Sequence, residues 1–132
     1  MQKCKKIVTL KDTDATGVLY FTSLLQYGLE AFELFLQSQH LPLSLLLSKN
    51  YLFPVVHAEA DYKAPLFAGD EISLHLTLLE IKNRSFILKT EILKQGLLVG
   101  TTKIAHAFVQ KGQTKASKLP EEFLLLLHRL HS

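Results

Sequence analysis

The densest cluster of chemistry-bearing residues in this 132-residue chain is Asp12-Thr13-Asp14-Ala15-Thr16-Gly17-Val18-Leu19-Tyr20-Phe21. From Thr22 onward the apolar spacing becomes helical, so these acids stand just ahead of a helix N-terminus. The first turn of a helix presents unpaired backbone N–H groups and a partial positive charge. Those groups suit the oxyanion that develops when a carbonyl carbon is attacked. A carboxylate a few residues upstream can act beside it as a nucleophile or as a general base for water. Gly17 lets the backbone come close to a ligand. An Asp-x-Asp loop followed by Gly is more often turn chemistry or a cap than catalysis. The residues alone therefore leave both readings open.

The elements that must position this loop follow from periodicity. Lys5 to Leu10 alternates and is expected to be a first strand. Leu24, Leu25, Tyr27, Gly28, Ala31, Phe32, Leu34, Phe35 and Leu36 recur at steps of three and four, which predicts a helix over Thr22 to Ser38 capped by Thr22 or Ser23. So much of it is apolar that a sheet should wrap it, with Gly28 and Ala31 allowing close backbone approach. Leu41 to Leu47 predicts a short helix entered through Pro42. Strands are expected at Phe53 to Tyr62, Glu71 to Lys82, Ser85 to Lys94 and Leu97 to Gln110, with short separators that favour antiparallel hairpins. A tail helix over Pro120 to Leu130 begins with two acids that suit its dipole. The order defines one α+β domain spanning residues 1–132.

Composition excludes several classes of function. A 48% hydrophobic fraction supports a core, and 20% charged residues is far from the signature of disorder. Cys4, the single cysteine, has no internal partner, which suits a reducing cytoplasmic setting. The N-terminal lysines are not followed by a signal-peptide core, and no apolar run is long enough to insert in a membrane. The formal charge of +3 is spread along the chain, which argues against nucleic acid as a partner. The six histidines show no metal-ligand spacing, so no metal is expected, and the Gly-rich phosphate loop and Gly-x-Ser-x-Gly are both absent. His57 lies mid-strand and reads as a hydrogen-bonded structural residue, with Glu59 and Asp61 on the same face. Lys82 and Arg84 flank a turn, where solvated charge is the default.

Asp12-Thr13-Asp14…Gly17-Val18-Leu19-Tyr20-Phe21 before a helix resembles the signature of the 4-hydroxybenzoyl-CoA thioesterase family. The resemblance continues through Phe53-Pro54-Val55-Val56-His57-Ala58-Glu59-Ala60-Asp61-Tyr62…Ala64-Pro65…Gly69-Asp70 and Arg84-Ser85-Phe86, covering about residues 5 to 110. Gly17 to Phe21, Glu30-Ala31-Phe32-Glu33 and Pro54 to Ala58 look most like the 1,4-dihydroxy-2-naphthoyl-CoA hydrolases. The resemblance implies a hotdog fold, an antiparallel sheet wrapped around one long central helix. It implies an acyl-CoA thioesterase assembled as a homodimer or homotetramer, with no cofactor beyond the coenzyme A of the substrate.

By the same resemblance Asp14 is the catalytic carboxylate and Asp12 holds the loop. The Phe21 N–H polarises the thioester carbonyl. Gly17, Tyr20, Phe21 and His57 are expected to bind substrate, and Lys82 and Arg84 to contact the nucleotide end of CoA, with Asn83 where some relatives are basic. Phe21 stands where other members carry His, which moves the expected acyl group from short aliphatic towards aromatic. The rivals are a short-chain acyl-CoA or acyl-carrier-protein thioesterase, a hotdog hydratase, and a non-catalytic acyl-CoA binding module.

Overall fold

The structure, a computed structural model, describes residues 1–131; Ser132, the last residue of the predicted domain, lies outside the described residues. Its strands are β1 (Gln2–Ile7), β2 (Tyr51–Leu52), β3 (Val55–Tyr62), β4 (Glu71–Ile81), β5 (Ser85–Lys94), β6 (Leu97–Ala107) and β7 (Val109–Gln110). The helices are α1 (Ser23–Ser38), α2 (Leu43–Ser48) and α3 (Glu121–His128). Five strands form one antiparallel sheet in the order β1-β4-β5-β6-β3, and β2 pairs with β7 in a separate two-stranded ribbon. The predicted α+β architecture, a sheet around a long helix, is what the chain adopts.

Period-two alternation explains why the sheet curls over α1. In β4, Ile72, Leu74, Leu76 and Leu78 face the helix and are at most 8% exposed. Phe86, Leu88, Thr90 and Ile92 of β5 lie on the same inner face, as do Thr102, Ile104 and His106 of β6. The helix answers with Leu24, Tyr27, Gly28, Ala31, Phe32, Phe35 and Leu36. Burying an apolar stripe of this width against a sheet is the main stabilising term of such a layer. Gly28 is required by contact: a Cβ there would meet Thr102 Oγ1 at 2.5 Å and Ile104 Cδ1 at 3.0 Å. The close approach is thus to side chains of β6 rather than to backbone.

Several expected boundaries shift. The first strand is Gln2–Ile7, not Lys5 to Leu10. Cys4 and Lys6 face inward, and Lys6 reaches Glu30 of α1 at 3.0 Å, so an inward lysine disguises the alternation. Beyond Val8 the chain tightens into a 3-10 turn, Leu10–Asp12. The last long strand ends at Ala107, and Val109–Gln110 leaves the main sheet to pair with Tyr51–Leu52. Thr22 occupies the N-cap position of α1 but makes no side-chain capping bond, and the Ser23 hydroxyl donates instead to Asp12 O at 2.9 Å. The tail helix α3 sets Phe123 in a stack with Phe53, ring centroids 4.7 Å apart, and so closes the end of the core.

Candidate functional site

Asp12 is 6% exposed and anchors the loop. Its Oδ2 accepts from the Thr9 backbone N–H at 3.2 Å, the Thr9 hydroxyl at 2.9 Å and the Tyr27 hydroxyl of α1 at 2.9 Å. Burial disfavours its charge, but these three donors outweigh burial and hold the carboxyl below its ordinary range. The Asp12 carbonyl then accepts from the Tyr20 N–H and the Ser23 hydroxyl, both at 2.9 Å. One residue therefore ties the 3-10 turn, the end of the loop and the first turn of α1 together.

Asp14 sits two residues further on and is exposed. The intervening chain folds as a tight hairpin, with Thr13 bridged to Leu19 and the Asp14 N–H bonded to Val18 O at 2.8 Å. Gly17 closes it at φ 83°, in the left-handed region that glycine adopts without strain. Asp14 Oδ1 accepts from the Thr16 hydroxyl at 2.6 Å and the Thr16 N–H at 2.7 Å. These bonds, the hydroxyl first, hold the Asp14 carboxyl below its ordinary range, so it is an anion at neutral pH. No hydrogen bond to its Oδ2 is seen among the described residues, and the Val18 N–H also helps to hold the carboxyl down. The turn after β3 supports the hairpin from the other side: the Leu19 N–H donates to Leu66 O at 2.7 Å and the Ala68 N–H to Gly17 O at 3.2 Å. Asp70 fixes that turn by accepting from the Phe67 N–H at 2.8 Å.

At the mouth of α1, Tyr20 and Phe21 are 47% and 63% exposed and touch each other, ring centroids 4.8 Å apart. Among the described residues the Phe21 N–H donates to no backbone carbonyl. Beside it opens a cleft of about 340 Å³ lined by Val18, Leu19, Phe21, Tyr62, Lys63 and the Ala64-Pro65-Leu66 turn. Asp14 is not in the lining. Sequence reasoning missed Tyr62 and Lys63 here; the Pro65 that breaks β3 was the available signal. A larger trough of about 1050 Å³ runs over the outer sheet face past Lys5, His75 and Lys94, and no residue of the Asp12 to Phe21 loop lines it.

The remaining candidates lie elsewhere. His57 projects from the outer face of β3, opposite Ala105, and pairs with Glu59 at 3.2 Å. Lys82 and Arg84 are exposed at the β4–β5 turn, Lys82 being 3.8 Å from Glu80. This turn lies at the end of the sheet where β6 finishes, since Ser85 is opposite Ala107. Tyr62 and the α1 N-terminus are at the other end, where Tyr62 is opposite Gly100 and Gly100 packs on Leu24. Within the chain the two groups are separated by roughly the 24 Å length of α1, at 1.5 Å per residue. Among the described residues no group of three or more His, Cys, Asp or Glu could hold a metal, and no helix is long and apolar enough to cross a membrane.

A sheet curled around one long helix, with an acidic hairpin at the helix mouth, defines the hotdog thioesterase class. The chain belongs to the Thioesterase-like superfamily, whose family model matches residues 8–127. A 1,4-dihydroxy-2-naphthoyl-CoA hydrolase of Rippkaea orientalis is 32% identical to it over 94% of this chain and 93% of that protein. Among solved structures, a 1,4-dihydroxy-2-naphthoyl-CoA thioesterase from Synechocystis superposes with a TM-score of 0.89 at 30% identity, covering 97% of this chain and 96% of that one. A gentisyl-coenzyme A thioesterase superposes at 0.85 with 27% identity, covering 94% of this chain and 98% of that one.

Proposed function

We propose that this thioesterase hydrolyses an aromatic acyl-CoA of the dihydroxynaphthoyl type to free acid and CoA, with Asp14 as the catalytic carboxylate. The observation that carries the reading is the hairpin itself. It holds an ionised carboxylate through Oδ1, with no hydrogen bond to Oδ2 among the described residues, on the loop that leads to an exposed Tyr20–Phe21 pair and to a Phe21 N–H that donates to no backbone carbonyl there. Oδ2 either takes a proton from water, whose oxygen then bonds to the thioester carbon, or bonds to that carbon itself. In both routes the carbonyl oxygen becomes an oxyanion, which the Phe21 N–H and the α1 N-terminus stabilise. Collapse expels the CoA thiolate, which takes up a proton. In the second route water then cleaves the acyl-aspartyl anhydride. Exposed aromatic faces at the helix mouth favour a flat acyl group over a short aliphatic one.

The site is read as completed by a second copy of the chain. β3 is an eight-residue edge strand whose Val55, Val56 and Tyr62 are 46%, 61% and 49% exposed, an open edge that soluble proteins normally cover. Two copies joined edge to edge about a twofold run antiparallel, so the Tyr62 end of one meets the Val55 end of the other. That arrangement carries the Asp14 loop of one protomer towards the end where its partner holds Lys82 and Arg84, read as contacts for the CoA nucleotide. Gly17 shapes the approach to the carbonyl, and His57, on the same β3 edge, is read as lining the acyl side of a site in the cytosolic homodimer or homotetramer.

The test is release of CoA from a panel of aromatic and aliphatic acyl-CoAs by the native chain and by Asp14→Asn. The substitution keeps size and should lower kcat at least about 100-fold on the aromatic thioesters. Undiminished turnover removes Asp14 from the chemistry. Tight binding without thiol release from any thioester favours the binding-module reading.

A further inference from the structure

From Ile92 to Pro120 the chain carries Lys94, Lys103, Lys111, Lys115 and Lys118 without one Asp or Glu. Spread through sequence, these charges look unconnected, but the fold gathers part of them. The Arg84 carbonyl accepts from the Phe108 N–H at 3.0 Å, and the Phe108 carbonyl accepts from the Ser117 N–H at 2.8 Å. The Leu119 N–H then donates to Asn83 O at 2.8 Å. Lys118 is thus clamped between two residues that are sewn to the β4–β5 turn and to the strand end behind it. Leu119 is 2% exposed while Lys118 is exposed, so the tail places its lysine on the solvent side, one residue from the backbone bond to Asn83.

The local charge is poorly compensated. Lys82 has Glu80 at 3.8 Å, and Glu122 is taken by Lys49 at 3.9 Å. Glu121 begins α3, where the helix dipole favours it. Arg84 and Lys118 make no ion pair among the described residues. Like charges carried on backbone segments that are bonded to one another repel when their side chains converge, a cost that a bound polyanion reverses. Because the flanking backbone is already fixed, Lys118 loses only side-chain freedom when it binds.

We propose that Lys118 joins Arg84 and Lys82 in one basic cradle for the phosphates at the nucleotide end of CoA, supplying from the tail the charge that Asn83 lacks. This rests on the acyl-CoA reading above. It assigns recognition of the phosphates to a segment outside the strands that build the thioester site. Lys118 is a binding residue only, far from the reacting atoms of its own protomer, so its signature is in KM and not in kcat.

The experiment compares one aromatic acyl group carried on CoA and on pantetheine, which has the same thioester arm but no nucleotide. Lys118→Glu is expected to raise KM for the acyl-CoA about tenfold, equivalent to one charge-assisted contact, with kcat held within twofold. Kinetics on acyl-pantetheine should not change, and Lys118→Arg should restore the native KM. An unchanged KM on acyl-CoA, or an equal rise on both substrates, overturns the proposal while leaving the thioesterase reading intact. Should the native chain release no thiol at all, that reading fails separately, and titration with the phosphoadenosine diphosphate end of CoA still tests the cradle. Binding about tenfold weaker in Lys118→Glu supports it, and equal binding overturns it.

Discussion

Tyr27→Phe isolates one bond between the helix and the acidic loop. The ring stays, so core packing is retained, and the Lys6 amine that sits 4.8 Å over it keeps its aromatic partner. Only the hydroxyl that donates to Asp12 at 2.9 Å is lost. A hydrogen bond to a charged group contributes about 1.5–3 kcal/mol. Asp12 keeps two donors from Thr9, which places the loss in the lower half, about 1.5–2 kcal/mol. For a chain of this size that lowers Tm by roughly 5–10 °C. The pH dependence has a definite sign. Asp12 has a folded pKa below the ordinary 3.8, so its contribution is complete above pH 3.8 and is lost as pH falls through the folded value. Removing a donor brings the folded pKa closer to 3.8. The variant should therefore lag the native chain most at neutral pH and converge with it in acid. Thermal unfolding by circular dichroism from pH 7 down to pH 3 reads both effects. A Tm difference under about 1 °C at pH 7, or one that does not shrink in acid, refutes the account of Asp12 as the anchor.

Two further predictions follow from contacts of the same helix and loop. Gly28→Ala adds a methyl 2.5 Å from Thr102 Oγ1, so overpacking of about 1–3 kcal/mol should exceed the gain in helix propensity of up to about 1 kcal/mol. Thr102 Oγ1 is buried without a partner among the described residues, so Thr102→Ala removes the nearest contact and an unsatisfied hydroxyl; urea midpoints should show Gly28→Ala destabilising the native chain and costing markedly less in that background, where Ile104 Cδ1 at 3.0 Å remains. Thr16→Val deletes the strongest bond holding Asp14 ionised, so the acid limb of the kcat/KM profile should move up towards the ordinary carboxylate value. A limb that stays in place assigns it to another group.

The parts legible in sequence are those where one physical rule acts alone. β4 and β5 alternate apolar and polar residues between short turns, so their limits could be read to within a residue, and in β4 the inner face as well. β1 could not, because Lys6 points inward to satisfy Glu30 and breaks the apolar pattern. The Val109–Gln110 ribbon was hidden because two-residue strands have no period, and its partner, Tyr51–Leu52, lies far back in the chain. The capping role expected of Thr22 passed to a tertiary bond, Ser23 to the Asp12 carbonyl. At the site, residue types identified the acidic loop, but neither Tyr27 as its anchor nor Tyr62 and Lys63 beside Phe21 was visible, since each depends on contacts across the fold.

Asp12 and Asp14 show how a single hairpin separates two tasks that the same side chain could perform. Both carboxyls are held below their ordinary range, so titration alone does not tell them apart. Geometry does. Asp12 spends Oδ2 on three donors and is sealed at 6% exposure, which leaves it no means of reaching a substrate. Asp14 is braced through Oδ1 by its own loop, so Oδ2 is oriented without being occupied. A base with a lowered pKa is a weak one, which means its contribution must come from position and from the oxyanion donors beside it. On the proposed role of Asp14, the anchoring of Asp12 to Tyr20, Ser23 and Tyr27 becomes part of the chemistry, because it holds the loop against the first turns of α1. Loosening Asp12 should lower kcat even though Asp12 touches no substrate.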